Sequence, residues 1–555
     1  MAFLKGPEVP PLPTKDILSW IFDEPTYDVN KPVFIDATNI KRSLSLSQAQ
    51  HVVRQLIAGF RAQGIKPGDC VLIHAFNDVY YMMLALAIIG TGAVFAGSNP
   101  GYTPFELSHH IKATSASWLI LEAETLPTVL SVTKTISIPS SHLIIFHPLD
   151  TQSCPSGYTS WLTLLQHGTA DWVRFDDYNT CKTTTAARFT SSGTSGLPKA
   201  TINTHLNMIA QHEFNYSPLF YKRPWETVNL WSLPMFHAAV APRALTSIWK
   251  LGEKAYIMRR FEVDAFVRNI ERFGVTDLFG VPPMLVAIIM HMPVQKGEVS
   301  LRSIRSGAVG AAPLTKETQA RITSYLAPGA TFTQVWGMTE SNCIASRFPW
   351  GEADETGSVG YLSPGMEGKI VDVETGEEIR EYGRRGEACV RGESVIPGYF
   401  NNAEATRKSW DPDGFYHSGD VIYVDEKTKK LYIVDRVKEL IKVRAFQVAP
   451  PEVEGVLLEM EGIVDAAVIG VKDDKDGEGE ACRAYVVTRP GWEGKLTERD
   501  VYDWVKERLV KYKHLDGGVK FVPQIPKTPS GKILKRLLRD EFEKEQRLEK
   551  GRAKL

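Results

Sequence analysis

Six cysteines lie far apart, at Cys70, Cys154, Cys181, Cys343, Cys389 and Cys482, and no two of them form a C-x-x-C pair. This excludes a short-range zinc or dithiol motif. The opening segment MAFLKGPEVPPLP has no charged stretch followed by an apolar core, so the chain is expected in a reduced compartment and not in a secretory one. The thiols are expected to be small buried residues. No uninterrupted apolar run reaches spanning length either. The longest, residues 80–97 (YYMMLALAIIGTGAVFAG), is cut by Gly90 and Gly92 into a helix-like half and a strand-like half, which argues against stable membrane insertion. Excess charge is missing too: 64 Lys and Arg stand against 65 Asp and Glu, so no global field draws the molecule to nucleic acid or to an anionic membrane. Any phosphate must therefore be held locally. Internal repeats and low-complexity segments are also absent.

What is present is a chain of 555 residues, 43% hydrophobic, 23% charged and 10% aromatic, which is the make-up of a multidomain globular enzyme. From about Ser45 to Ile322, helix-period stretches alternate with β-branched runs, for example QAQHVVRQLIAGFRAQ then DCVLIHAF, and DAFVRNIERFG then VTDLFGV. Such alternation predicts an α/β fold with layered, largely parallel sheets. After Glu352 short strands with Gly-rich turns (GKIVDVETGEEI, GEACVRGESVIPGYF) predict a small antiparallel β subdomain. From about Glu439 onward helices and strands mix again, predicting a separate α+β unit.

The most distinctive local feature is Thr190-Ser-Ser-Gly-Thr-Ser-Gly-Leu-Pro-Lys199, placed between a strand-like AARF and a helix-like NTHLNMIAQH. Gly193 and Gly196 let backbone N–H groups turn inward, Ser191, Ser192, Thr194 and Ser195 add hydroxyls, and Lys199 supplies a cation, a combination suited to a polyphosphate. It is not a Walker A loop, because Lys199 stands three residues after Gly196 and is followed by Ala200. Taken alone, a Ser/Gly/Thr loop is more often a flexible connector.

Its company decides between the two. Downstream stand Leu233-Pro-Met-Phe-His237, Gly310-Ala-Ala-Pro313, Trp336-Gly-Met-Thr-Glu340, Tyr416-His-Ser-Gly-Asp420, the run Val434 to Lys442 (VDRVKELIK), and Pro526-Lys-Thr-Pro-Ser-Gly-Lys532. In this order, over essentially the whole chain, they resemble the adenylate-forming superfamily of acyl-CoA synthetases, peptide-synthetase adenylation domains and luciferases, and within it the 4-coumarate:CoA ligase-like group. The resemblance implies ATP, Mg²⁺ and coenzyme A as cofactors and co-substrates. It implies a large adenylation domain (1–434), a hinge (435–438) and a mobile catalytic C-terminal domain (439–555). By the same resemblance Trp336 and Gly337 with Gly310, Ala311 and Ala312 hold adenine, Thr339 meets the α-phosphate, and Glu340 is the metal ligand. Asp420 takes the ribose hydroxyls, and Arg436 and Lys438 contact the nucleotide. Catalytic roles fall to Lys532, His237, Thr194, Glu340 and Lys442. Arg260, Arg444, Ala445 and Gln447 serve the coenzyme, while His237, Ala239, Arg243, Val335, Cys343 and Ile344 shape the acid site.

Four positions depart from the group. Ala445 stands for a glycine beside the thiol route, Val335 for a small residue, and Ala239 with Arg243 for a Tyr and a Ser, which argues against coumarate itself. The implied reaction is carboxylic acid plus ATP to acyl adenylate and pyrophosphate, then transfer to coenzyme A; a stand-alone enzyme passing the acyl group to a separate carrier protein is the alternative. An Arg243 turned into the acid site without a partner requires an oxygen acceptor on the substrate; one turned away requires a structural carboxylate. The terminal Ala553-Lys554-Leu555 is similar to a peroxisomal address, with the import receptor as the expected partner.

Overall fold

The computed structural model describes residues 4–191, 198–312, 314–436, 439–443, 446–472, 480–527 and 533–552. Two seven-stranded sheets dominate the first half. One has the spatial order 203–204, 185–188, 94–98, 70–74, 116–122, 143–146, 159–160, and the other 331–334, 306–309, 277–280, 228–231, 254–257, 32–36, 43–45. Every pairing within them is parallel except one edge pair in each, Asn203–Thr204 with Thr185–Arg188 and Pro32–Asp36 with Ser43–Ser45. The helix-strand alternation requires this, since parallel neighbours need a crossover and the helices supply it.

The divided apolar run becomes helix Tyr81–Gly90 and strand Val94–Ser98, all of whose residues are buried. A helix apolar all round has no solvent face to offer, so it packs inside. Its residues share one core with Val71, Ile73 and Phe95 of the first sheet and Val33, Phe34, Ala255 and Ile257 of the second, and this common core joins the two layers. Among the described residues no helix is long and apolar enough to cross a membrane.

The expected β subdomain is an antiparallel sheet in the order Leu4–Lys5, Glu367–Val371, Gly386–Arg391, Tyr416–Val424, Leu431–Arg436. The last strand carries Asp435 and Arg436 opposite Val421 and Asp420, so half of the expected 435–438 hinge is paired backbone. After it, helix Pro450–Leu458 and strands Ile463–Lys472, Glu480–Thr488 and Val519–Phe521 enclose a core of their own, and the charged tail forms helix Lys535–Arg552. Cys70, Cys181, Cys389 and Cys482 are buried and Cys154 and Cys343 partly so, all unpaired.

Candidate active site

The candidate residues leave the carboxyl ends of one parallel sheet. Strand Val228–Trp231 runs into Ser232 to His237, Lys254–Ile257 into Arg259 and Arg260, Ser306–Val309 into Gly310 to Ala312, and Thr331–Gln334 into Val335 and Trp336–Met338. Parallel strands all end on one edge, so that edge gathers side chains from segments remote in sequence.

The Ser/Gly/Thr loop is clamped at its ends by a two-stranded hairpin in which Ser191 faces Lys199. Ser192, Gly193, Thr194, Ser195 and Gly196 lie outside the described residues. Beyond the clamp, Phe400 N–H donates to the Ala200 carbonyl at 2.8 Å and Thr201 bridges Tyr399, which brings the Lys199 ammonium to 4.8 Å from the Tyr399 ring centre. The same phenol donates to Glu340 Oε1 at 2.8 Å and lies 3.2 Å from the Tyr416 hydroxyl. Glu340 is 4% exposed. Burial first, and then the Glu340 charge, push both phenols upward, so they stay protonated and available to donate. Lys199, Glu340, Tyr399 and Tyr416 thus converge: a hard carboxylate oxygen, a cation and two hydroxyls.

Glu340 owes its position to a tight local path. A side chain at Gly337 would put its Cβ 1.7 Å from the Cys343 carbonyl, so only glycine admits the bulged pairing with strand Cys343–Arg347. Thr339–Ser341 then form a short turn, and Asn342 (φ 56) and Cys343 (φ 114) follow in conformations that L side chains rarely adopt. The buried Asn342 amide holds this bend by accepting from Asn203 and donating to the Ser394 carbonyl, both at 2.8 Å.

The expected ribose acceptor, Asp420, is buried and faces Arg436 in register. Its Oδ2 accepts the Trp336 indole N–H at 2.8 Å. Trp336 is 4% exposed, so most of the ring is core, and its N–H edge ties the expected adenine side to the expected ribose acceptor. The turn before Asp420 is fixed from below. Gly419 N–H donates to Glu387 Oε1 (2.8 Å), His417 Nδ1 pairs with Glu387 Oε2 (2.9 Å), and the Ser418 hydroxyl donates to the Ala388 carbonyl (2.6 Å). The Glu387 bond raises the His417 pKa and outweighs burial, which lowers it. On the adenine side Ala311 holds φ 72, a strained non-glycine conformation at the strand exit where the small-residue run was expected to line a base slot.

His237 Nδ1 accepts the Ala239 N–H at 3.1 Å, which leaves Nε2 to carry the proton, and burial pushes its pKa down. It is therefore a neutral donor. Nearby, Tyr216, Trp231, Ser232, Ala239, Arg243 and Phe279 border an apolar cavity between the sheet edge and helix Ala241–Leu245. Of the expected acid-site residues only Ala239 and Arg243 line it. Cys343 Sγ reaches the Ala239 carbonyl at 3.5 Å, Val335 packs against Gly310, and Ile344 is buried in the strand behind. Ala239 precedes the helix and Arg243 lies within it, since the chain enters the helix at Ala241. Arg243 has the structural carboxylate that one of its two expected placements requires: its Nη2 donates to Glu253 Oε2 at 2.8 Å and to Asn229 Oδ1 at 3.1 Å.

Of the two adjacent arginines in IMRRF, Arg259 is bound to Glu122 and Glu124 and lies over Phe76. Arg260 is exposed, with no ion pair among the described residues. Lys442 and Gln447 are register partners in a small hairpin, whereas Lys438, Arg444, Ala445 and Lys532 lie outside the described residues. Sequence reasoning missed Tyr399 and the cavity residues Tyr216, Trp231, Ser232 and Phe279. The Pro397-Gly398-Tyr399 turn was the available signal for the first; nothing local marked the others.

The sequence model of the AMP-binding enzyme family matches residues 24–400, and that of the AMP-binding enzyme C-terminal domain matches 452–532. The chain belongs to this family, the adenylate-forming superfamily, on its acyl-CoA ligase branch. Phenylacetyl-CoA ligase epaB of Aspergillus niger is 49% identical over 97% of this chain and 99% of its own length, and acyl-CoA ligase azaF of the same species is 48% identical over 97% and 100%. 4-Coumarate–CoA ligase 2 of Nicotiana tabacum is 33% identical over 94% and 93%. The fold matches the anthranilate CoA ligase AuaEII in complex with anthranoyl-AMP, with a TM-score of 0.84 at 20% identity over 97% of this chain and 99% of that one.

Proposed function

We infer that this chain, an AMP-forming acyl-CoA ligase, activates a small aromatic carboxylic acid. The acid's carboxylate oxygen attacks the α-phosphorus of ATP, the bond to pyrophosphate breaks, and an acyl adenylate forms. The thiol sulfur of coenzyme A then attacks the acyl carbon and AMP leaves with the bonding electrons. The observation that carries the aromatic reading is the cavity beside His237, bordered by the Tyr216, Trp231 and Phe279 rings, since aryl groups pack best against aryl faces. The name of the phenylacetyl-CoA ligase, nearly half identical, supports the same class.

In this reading neutral His237 donates Nε2–H to the acid carboxylate, Asp420 accepts the ribose hydroxyls, and Lys199 with the rest of its loop holds the phosphates. Lys532 bridges the α-phosphate and the incoming carboxylate, offsetting a like-charge repulsion of about 4 kcal/mol at 4 Å and an effective dielectric near 20. Glu340, a buried hard oxygen donor held by the Tyr399 phenol, fits Mg²⁺, which takes few carboxylates and whose charge would offset that on the pyrophosphate. Arg260 and the segment from Lys442 to Gln447 serve coenzyme A.

The test is pyrophosphate release and thioester formation, assayed separately, with phenylacetate and hexanoate. Higher kcat/KM for phenylacetate in both assays is expected; a preference for hexanoate overturns the aromatic reading, and pyrophosphate release without thioester redirects the chain to a carrier-protein acceptor. We further propose a peroxisomal enzyme, addressed by Ala553-Lys554-Leu555, to be tested by whether deleting these three residues moves a fluorescent fusion from peroxisomes to cytosol.

A further inference from the structure

One buried side chain, Asn203, gathers both ends of the Ser/Gly/Thr loop. Its Oδ1 accepts from the Thr201 hydroxyl at 2.6 Å and from the Phe189 N–H at 3.5 Å, and these two residues flank the hairpin of Thr190–Ser191 with Lys199–Ala200. Thr201 N–H in turn donates to the Phe189 carbonyl at 2.8 Å, which closes the hairpin at its base. The Asn203 amide nitrogen is given elsewhere, to Asn342 Oδ1 at 2.8 Å, across 139 residues of sequence. Neither asparagine has any exposed surface.

Asn342 belongs to the bend that follows Glu340, and the bend is held at several points. Asn342 Nδ2 donates to the Ser394 carbonyl, and Ile396 N–H, two residues further on, donates to the Glu340 carbonyl at 2.9 Å. From helix His205–Asn215, the buried Gln211 brackets the bend. With its amide oriented so that both ends are paired, Nε2 donates to the Ser341 and Ile344 carbonyls at 3.1 and 3.2 Å and Oε1 accepts the Ile344 N–H at 2.9 Å. A buried amide pair needs partners that apolar side chains of the same volume do not, but it fixes distance and direction, as a single buried Asn fixes register in a coiled coil. The left-handed φ of 56 at Asn342 is a further cost, and such a conformation persists where its surroundings over-determine it.

We propose that Asn203 and Asn342 are positioning residues for the adenylation step, their amide pair keeping the Glu340 carboxylate at a fixed distance from the phosphate loop. A carboxylate and a loop that share one Mg²⁺–nucleotide complex need that register, because Mg²⁺ demands near-ideal geometry. This rests on the reading of Glu340 as the metal ligand and of residues 190–199 as the phosphate loop, and adds to it the link between them.

The experiment measures, by calorimetry, binding of the α,β-methylene analogue of ATP, whose α–β bridge cannot be cleaved, in excess Mg²⁺ and in EDTA. The ratio of the two dissociation constants reports how far the metal ligand and the loop act together on one nucleotide; a general loss of nucleotide affinity weakens both and leaves the ratio unchanged. Mg²⁺ is expected to tighten binding in the wild type. The ratio is expected to fall towards one, by about three- to tenfold, in Asn342→Gly, which removes the amide and keeps the bend free of strain, and by a similar factor in Asn203→Ala. The double variant should lose no more than either single one, since each already breaks the same link. ATP–pyrophosphate exchange should fall in parallel, while thioester formation from supplied acyl adenylate, from which pyrophosphate has already left, keeps its rate. Should one single variant fail to fold, the other decides. A ratio unchanged in either folded variant, single losses that multiply in the double variant, or equal losses in the two half-reactions overturns this proposal and leaves the metal reading of Glu340 standing. No tightening by Mg²⁺ in the wild type, or tightening that survives in Glu340→Gln, overturns that reading and this proposal with it.

Discussion

Replacing Tyr399 by Phe removes one oxygen from the polar centre and little else. The lost bond runs from a phenol to a carboxylate at 2.8 Å, on a residue 4% exposed, so water cannot readily substitute. Hydrogen bonds to charged groups contribute about 1.5–3 kcal/mol, and a length at the long end for a charge-assisted O–H···O contact points to the lower half of that range. At 1.4 kcal/mol per factor of ten, 1.5–2 kcal/mol corresponds to about a 10- to 30-fold loss in kcat/KM for ATP. The adjacent Tyr416 bond is neutral and longer at 3.2 Å, so Tyr416→Phe should cost only about 2- to 5-fold. ATP–pyrophosphate exchange at saturating acid, repeated across a range of free Mg²⁺, is the assay. The Tyr399→Phe deficit should narrow as Mg²⁺ rises, because the cation restores some of the positive potential Glu340 has lost. Unchanged kcat/KM at every Mg²⁺ concentration would refute the reasoning, as would a larger loss from Tyr416→Phe. Global unfolding is the wrong readout, since the chain holds several separate cores.

Lys532→Ala should depress adenylate formation on the order of 10²-fold or more while sparing thioester formation from supplied acyl adenylate; equal losses in the two half-reactions would remove the alternating-domain assignment. Ala445→Gly should lower the KM for coenzyme A without changing pyrophosphate release, and a slower second step would show the thiol route adapted to alanine. The His417 pKa lies above its ordinary value, held up first by Glu387. Protonated His417 therefore supports the Asp420 turn fully below about pH 6.5, and that support is lost as pH rises through the folded pKa. Asp411, Lys369 and Cys389 also face this ring and shape the same titration. The KM for ATP should accordingly rise with pH over that window in the wild type and less so in Glu387→Gln; parallel profiles in the two proteins would sink the idea.

The sequence alone determined the fold class and supplied the motifs from which the nucleotide site is proposed. The switch from helix-strand alternation to short Gly-punctuated strands placed layered, largely parallel sheets before an antiparallel one, because periodicity records which faces are buried. The run 80–97 divided at Gly90 and Gly92 as its interruption implied. Residues within one turn of backbone, such as Trp336 to Glu340 or His417 to Asp420, were legible as motifs since their spacing is their geometry. Tertiary structure decided what crosses that range. Tyr399 meets Glu340 only because Thr201 bridges its strand, and Trp336 donates to Asp420 only because a bulge at Gly337 turns it there. The cavity proposed for the acid collects Ser232 and Phe279 from neighbouring strands of a parallel sheet and Tyr216 and Arg243 from helices packed beside them, where spatial and not sequence order sets the neighbours. For the same reason the partner of Arg243 could not be read in advance. Glu253 is ten residues away, on the far side of a helix and a turn, and only the packed fold shows that the guanidinium reaches it.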